Sequence, residues 1–203
     1  MDNTIISYNG IEIYKSDVNR IIDDFILDYS IDEDMLYKTN TFISLLSFIR
    51  ENLLKNIITK NNGTNKNGYD YNLLDTIFNT IFIPVCGKYN HILSLWNFSI
   101  LTGINNNYLN EVLNGQYRNG SKVKQENTDI VKKWYDASRA STLTQAQELN
   151  SVGSIFIAKS VYGLQETPQE LIVKSADMDT DPVQIMERYK NIEKPKLIEL
   201  NDN

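Results

Sequence analysis

Apolar side chains return every three or four positions along most of the first 140 residues, and that period commits the chain to helices packed on helices. Val18, Ile21, Ile22, Phe25, Ile26 and Tyr29 form one such face, with Asp23, Asp24 and Asp28 opposite. Phe42, Leu45, Leu46, Ile49, Leu53, Ile57 and Ile58 form a second, over 41–60, that should pack against the first. Leu74, Ile77, Phe78, Ile81 and Phe82 form a third. Pro84 should kink or end that helix, because proline removes an amide donor and clashes with the preceding turn. A further helix is expected from Asn127 to Arg139, with Ile130, Val131, Trp134 and Tyr135 inward and a polar spacer after it. Only Ile11–Tyr14, near the start, reads as a short strand or hairpin arm.

The expected fold class is all-α: a helical N-terminal region, a central helix-turn-helix, C-terminal helices and a partly disordered tail. The run KNNGTNKNG at 60–68 has a loop's composition and sets the one internal boundary. The chain divides accordingly into 1–68, 69–166 and 167–203. Asn150 or Ser151 can cap a helix over 151–162 that stops at Gly163. Gly153 within it costs helix propensity and points to close packing by another helix or another subunit. Beyond Pro168 come the acidic ADMDTDP and a modest helix around Val183–Tyr189, with Val183, Ile185, Met186, Tyr189, Leu197, Ile198 and Leu200 as anchors that a partner can capture.

At 203 residues the chain can bury a core that needs no staples. The single cysteine excludes a disulfide framework, and Cys86 with His91 supplies too few ligands for structural zinc. There is no glycine-rich phosphate loop, and His91 has no nucleophile beside it in sequence, so a non-enzymatic protein with no cofactor or metal is expected. No apolar run is long enough to span a membrane, and the acidic, polar N-terminus is unlike a signal peptide. The expected setting is a reducing cytoplasm, that of the host cell if the protein is viral.

The 26 acidic and 20 basic side chains leave a net charge of -6, which argues against nucleic acid only if charge is spread evenly. It is not. Residues 1–60 carry 10 acidic and 6 basic side chains, 61–140 carry 6 and 8, and 141–203 carry 10 and 6. The positive middle contains LWNFSILTGINNNYLNEVLN at 95–114, which fits a helix-turn-helix. That motif needs a small residue where its helices meet, a glycine at a left-handed turn and apolar residues locking the second helix to the first. Ser99, Gly103, and Phe98, Ile104, Leu109 and Val112 fill these roles. Thr102 stands where a larger apolar residue is usual, and a looser hinge is expected there.

With Ile104, Leu109 and Val112 inward, the second helix presents Asn105, Asn106, Asn107, Asn110, Glu111 and Asn114 outward. Asparagine can donate to and accept from an adenine edge at once. Its 25 occurrences, equal to those of isoleucine, also fit the coding bias of an AT-rich genome, so position and not number makes these asparagines candidates. Tyr117, Arg118, Lys122 and Lys124 follow in GQYRNGSKVK, with Lys132 and Lys133 beyond. Cations there would hold phosphates, which usually supply more contacts than bases, and Tyr117 would add a ring or a hydroxyl.

The order of a helix-turn-helix, a basic linker, DIVKKWYDASRA and GSIFIAKSVYGLQETPQELIV resembles the small terminase subunits of tailed phages over roughly 75–175. The resemblance implies a protein that binds packaging-initiation sites on viral double-stranded DNA, forms a homo-oligomeric ring and delivers DNA to the large ATPase and nuclease subunit. Asn105, Asn106, Asn107, Asn110 and Glu111 would read bases, and Arg118, Lys122 and Lys124 would hold the backbone. The helix at 151–162 would join subunits, and the tail would contact the large terminase subunit. The 70 residues before the motif depart from the family plan, in which the DNA-binding part lies near the start. A helix-turn-helix transcription regulator of phage or bacterial origin would share every DNA-facing residue but assemble as a dimer. A virion or scaffold protein could use the motif for packing alone.

Overall fold

In the computed structural model, residues 4–58 and 68–149 are described, together with Phe156, Lys159 and Ser160. Among the described residues the fold is all-α apart from one small antiparallel hairpin, β1 (Thr4–Tyr8) and β2 (Ile11–Tyr14). Asn9 and Gly10 turn the hairpin, both with positive φ, as a tight two-residue loop requires. Ile6 and Ile13 pair across it and are buried, so one face of the hairpin belongs to the core.

Helix α1 (Lys15–Asp28) follows directly. The Tyr14 amide donates to the Asp17 carboxylate at 2.9 Å and satisfies a donor that helix geometry leaves open. Val18, Ile21, Ile22 and Phe25 are buried, as their period requires. The connection to the next helix holds a tight helical turn at Glu33–Tyr37, anchored by the fully buried Leu36. Helix α2 (Thr39–Ile49) runs into a wider π-type turn at Arg50–Leu54. It packs on α1, as expected from sequence.

After residues 59–67, α3 (Tyr71–Ile77) is capped by Asp70, whose carboxylate accepts from the amides of Asn72 and Leu73 at 3.0 and 3.1 Å. A π-type turn at Phe78–Phe82 leads into α4 (Ile83–Lys88). Pro84 therefore does not end the helix. The widened turn lies just upstream, where the ring of a proline would otherwise press on the carbonyl four residues earlier. Described residues on both sides of 59–67 share one hydrophobic core, from Ile6 to Trp134.

Helices α5 (Leu95–Thr102) and α6 (Asn106–Leu113) pack on each other, and α5 also packs on α2. Helix α7 spans Gln125–Leu149 and reaches past the expected end at Arg139. Its apparent spacer stays helical because its hydroxyls are satisfied locally: Ser138 Oγ donates to the Trp134 carbonyl at 2.8 Å, and Thr142 Oγ1 to that of Ser138 at 3.0 Å. Ser141 Oγ accepts from the Leu93 amide at 3.1 Å, which fastens α7 to the segment before α5. Trp134 stacks on Phe78 at 5.6 Å, meets Phe98 edge-on at 5.0 Å, and donates through Nε1 to Asp75 at 2.7 Å. One aromatic cluster thereby joins the π-type turn after α3 to α5 and α7. Phe156, Lys159 and Ser160 are helical and exposed. The rest of the helix expected at 151–162, with Gly153, and the tail at 167–203 lie outside the described residues.

Candidate nucleic-acid interface

The bend between α5 and α6 is built by Gly103, which has φ +72° and ψ 7° and donates its amide to the Ser99 carbonyl at 2.8 Å. A side chain is strained at such a φ, and a Cβ here would stand 3.1 Å from Arg50 Cδ. Thr102 does not loosen the hinge. It is buried, donates to the Phe98 carbonyl at 2.8 Å and accepts from the Ile104 amide at 3.4 Å. Its methyl packs while its hydroxyl is satisfied. Phe98, Ile104, Leu109 and Val112 are buried at the positions the motif assigns to them.

The outward residues of α6 separate into four kinds. Asn105 is the N-cap: its side-chain oxygen accepts from the Asn107 amide at 2.8 Å, so that acceptor is occupied by the helix itself. Asn106 is half-buried. Asn107, Asn110 and Asn114 are exposed. Glu111 is held back from them, accepting from the Arg118 amide at 3.1 Å with the Arg118 guanidinium 4.0 Å away. Its carboxylate fastens the following loop to α6, a role that spacing alone did not reveal.

That loop is a closed turn. Tyr117 donates its amide to Ser121 at 2.9 Å, Gly120 donates to Tyr117 at 2.8 Å, and Gln116 and Lys122 form a single antiparallel bridge. Asn119 accepts from the Ser121 amide at 3.0 Å and from its hydroxyl at 2.6 Å. Buried Val123, whose amide donates to Gly115 at 3.0 Å, anchors the end. Arg118 stands at the tip with 85 % of its side chain exposed, and Lys122 and Lys124 are exposed beside it. Lys132 and Lys133 are exposed on α7. Between α6 and the loop lies a cleft of about 520 Å³ lined by Asn107, Asn110, Glu111, Asn114, Gln116, Tyr117, Arg118 and Gly120. Gln116 is the member that sequence reasoning missed. Its place on the helix side of the bridge, two residues past Asn114, was the available signal.

Tyr117 is half-buried and not displayed as a platform. Its ring stacks on Tyr108 at 5.6 Å, and the two hydroxyls lie 3.4 Å apart. Tyr108 in turn lies 3.4 Å from the Tyr71 hydroxyl and meets Tyr69 edge-on at 5.6 Å. Burial, reinforced by the Tyr108 hydroxyl, holds the Tyr71 phenol well above its ordinary range. Burial and the Tyr117 hydroxyl do the same for Tyr108. Tyr71 and Tyr108 thus stay neutral, and their contacts, with that of Tyr117, tie the core helix α3 to α6 and the loop.

The groups that would serve other chemistry are engaged structurally. His91 stacks on Phe42 at 3.8 Å, and its Nε2 lies 2.7 Å from the Leu36 carbonyl. Cys86 is buried, and burial pushes its thiol up to about 12. Among the described residues no group of three or more His, Cys, Asp or Glu side chains could hold a metal ion. No described helix is long and apolar enough to cross a membrane. No family model, curated protein or solved structure matches the chain.

Proposed function

We propose that this is a non-enzymatic double-stranded DNA-binding protein that recognises viral DNA for packaging. One observation carries the reading. Beyond the left-handed bend at Gly103, α6 displays Asn107, Asn110 and Asn114, and the adjoining closed loop displays Arg118, Lys122 and Lys124. A helix of this width fits a major groove, and cations at its end are placed to neutralise phosphates. The anchoring of the loop to α6 through Glu111 favours both parts acting on one duplex. The packaging role rests on the resemblance to small terminase subunits. On that reading the chain assembles as a homo-oligomer and recruits the large terminase ATPase and nuclease through 167–203.

A salt-dependent gel shift of the wild type against an Arg118, Lys122, Lys124 triple alanine variant tests the DNA reading. Each phosphate contact contributes about -0.9 to the slope of log affinity on log salt, so the variant should flatten the slope by up to ~2.7. Unchanged affinity and slope would remove the reading. Solution mass then separates a ring from the dimer expected of a transcription regulator, and co-purification with the large subunit tests the packaging role.

A further inference from the structure

We infer that the cleft between α6 and the 116–122 loop is an adenine-reading site, selective for duplexes with two or three adjacent A·T pairs. This rests on the DNA-binding reading and specifies its substrate. The base-facing positions left free by the fold are all carboxamides. Asn105 is occupied as a cap and Glu111 by the loop amide, whereas Asn107, Asn110 and Asn114 are exposed around one cleft, with Gln116 completing it. Gln116 makes only a long contact, 3.4 Å from its Nε2 to the Gly120 carbonyl.

A carboxamide presents a donor and an acceptor side by side, which matches the adenine N6 amino group and N7 in the major groove. Guanine there offers two acceptors and is met best by arginine or lysine. No cation stands among the α6 residues that line the cleft; the one cation in its lining, Arg118, belongs to the loop, and the proposed pose turns that loop to the phosphates. Positions 107, 110 and 114 lie on one helix face, and seven residues rise about 10.5 Å. At about 3.4 Å per base step, that span covers roughly three pairs. Cytosine is matched less well, since in the major groove it offers a carboxamide only its amino group, with no acceptor beside it to take the amide N–H.

The test is quantitative gel shift on duplexes of equal length containing A·T-rich or G·C-rich cores, and on the A·T core with 7-deazaadenine, which lacks the N7 acceptor but still pairs with thymine. The wild type should prefer the A·T core on the order of tenfold or more, and 7-deazaadenine should abolish most of that preference. Asn110→Asp keeps the side-chain shape but removes the donor, and should lose the preference while retaining salt-dependent binding. Asn110→Ala, at an exposed helical position, should behave alike, and a circular dichroism spectrum matching the wild type confirms that both variants fold. Equal binding to all cores would overturn the adenine site and leave the DNA-binding reading standing. An A·T preference that survives both 7-deazaadenine and Asn110→Asp would assign selectivity to duplex shape and overturn the inference too. Absence of binding to any duplex would sink both readings together.

Discussion

Two glycine-to-alanine substitutions should move stability in opposite directions, and their contrast tests the bend on which the site depends. Gly103 holds φ +72°, where an alanine costs roughly 1–2 kcal/mol. The new methyl would also stand 3.1 Å from Arg50 Cδ. That contact is relieved by swinging a partly exposed side chain, at the expense of the exposed Arg50–Glu51 ion pair, which contributes under about 1 kcal/mol. Against this, alanine restricts the unfolded chain and returns about 0.4–1 kcal/mol. The balance is a destabilisation of about 1 kcal/mol, or ~2–4 °C in melting temperature for a chain of this size. Gly87 lies in α4, is exposed, has no positive φ, and would place its Cβ with nothing within 4 Å. Gly87→Ala therefore gains helix propensity of about 0.5–1 kcal/mol without a steric term and should melt a few degrees above wild type. Thermal melting followed by far-ultraviolet circular dichroism reads both. If Gly103→Ala melts at or above wild type, the left-handed turn is not where the structure places it, and the orientation of α6 goes with it.

Trp134→Phe removes both the 2.7 Å hydrogen bond to Asp75 and part of the ring stacked on Phe78. It should cost about 2–4 kcal/mol in urea unfolding, and a loss below 1 kcal/mol would contradict the packing described. The buried Cys86 thiol, pushed up to about 12, should resist thiol reagents at pH 8 until the chain unfolds; prompt native-state labelling would contradict its burial. Its folded value lies above the unfolded one of about 9, so the neutral thiol's contribution is complete below pH 9 and is lost as pH rises towards 12. The slope is up to about 1.4 kcal/mol per pH unit for this group, and Tyr71 and Tyr108 shift in the same sense. Urea midpoints should thus be flat from pH 7 to about 9 and fall beyond it, and a midpoint that rises there would refute the assignment.

The helix-turn-helix was legible because its determinants are local: a glycine at the bend and an apolar period on each side. What escaped was satisfied out of sight of that period. Thr102 and the hydroxyls of Ser138 and Thr142 look polar in sequence, yet each bonds to a carbonyl four residues back, so they sit in a core and prolong a helix through an apparent spacer. Pro84 signals a kink or an end, and sequence does not choose between them, because the widened turn that accommodates it has no signature in composition. Asn9–Gly10 was a turn signal available beside the strand at Ile11–Tyr14, and it identifies β1 as that strand's partner. At the candidate site, the exposed asparagines and cations stand where the helical period and the glycine boundaries put them. The pairing of Glu111 with the Arg118 amide and the contact of Tyr71 with Tyr108 were not readable, since the second joins positions 37 residues apart.

Those non-local contacts determine what kind of binder the proposed site can be. Three cations on the loop give modest attraction for a duplex, while the acidic excess elsewhere opposes contact by other faces. Non-specific affinity should therefore be weak, and discrimination has to come from well-placed side chains on α6. Such placement needs a helix that does not rock on the core, because a groove-reading amide works only within a narrow range of position and angle. The file of hydroxyl contacts from Tyr71 through Tyr108 to Tyr117 supplies that constraint from one side, and buried Leu109 and Val112 supply it from the other. On the proposed reading, a site with few charges and a fixed helix suits repeated use: several weak, selective copies in the proposed homo-oligomer would gain affinity from effective concentration without gaining attraction for unrelated DNA.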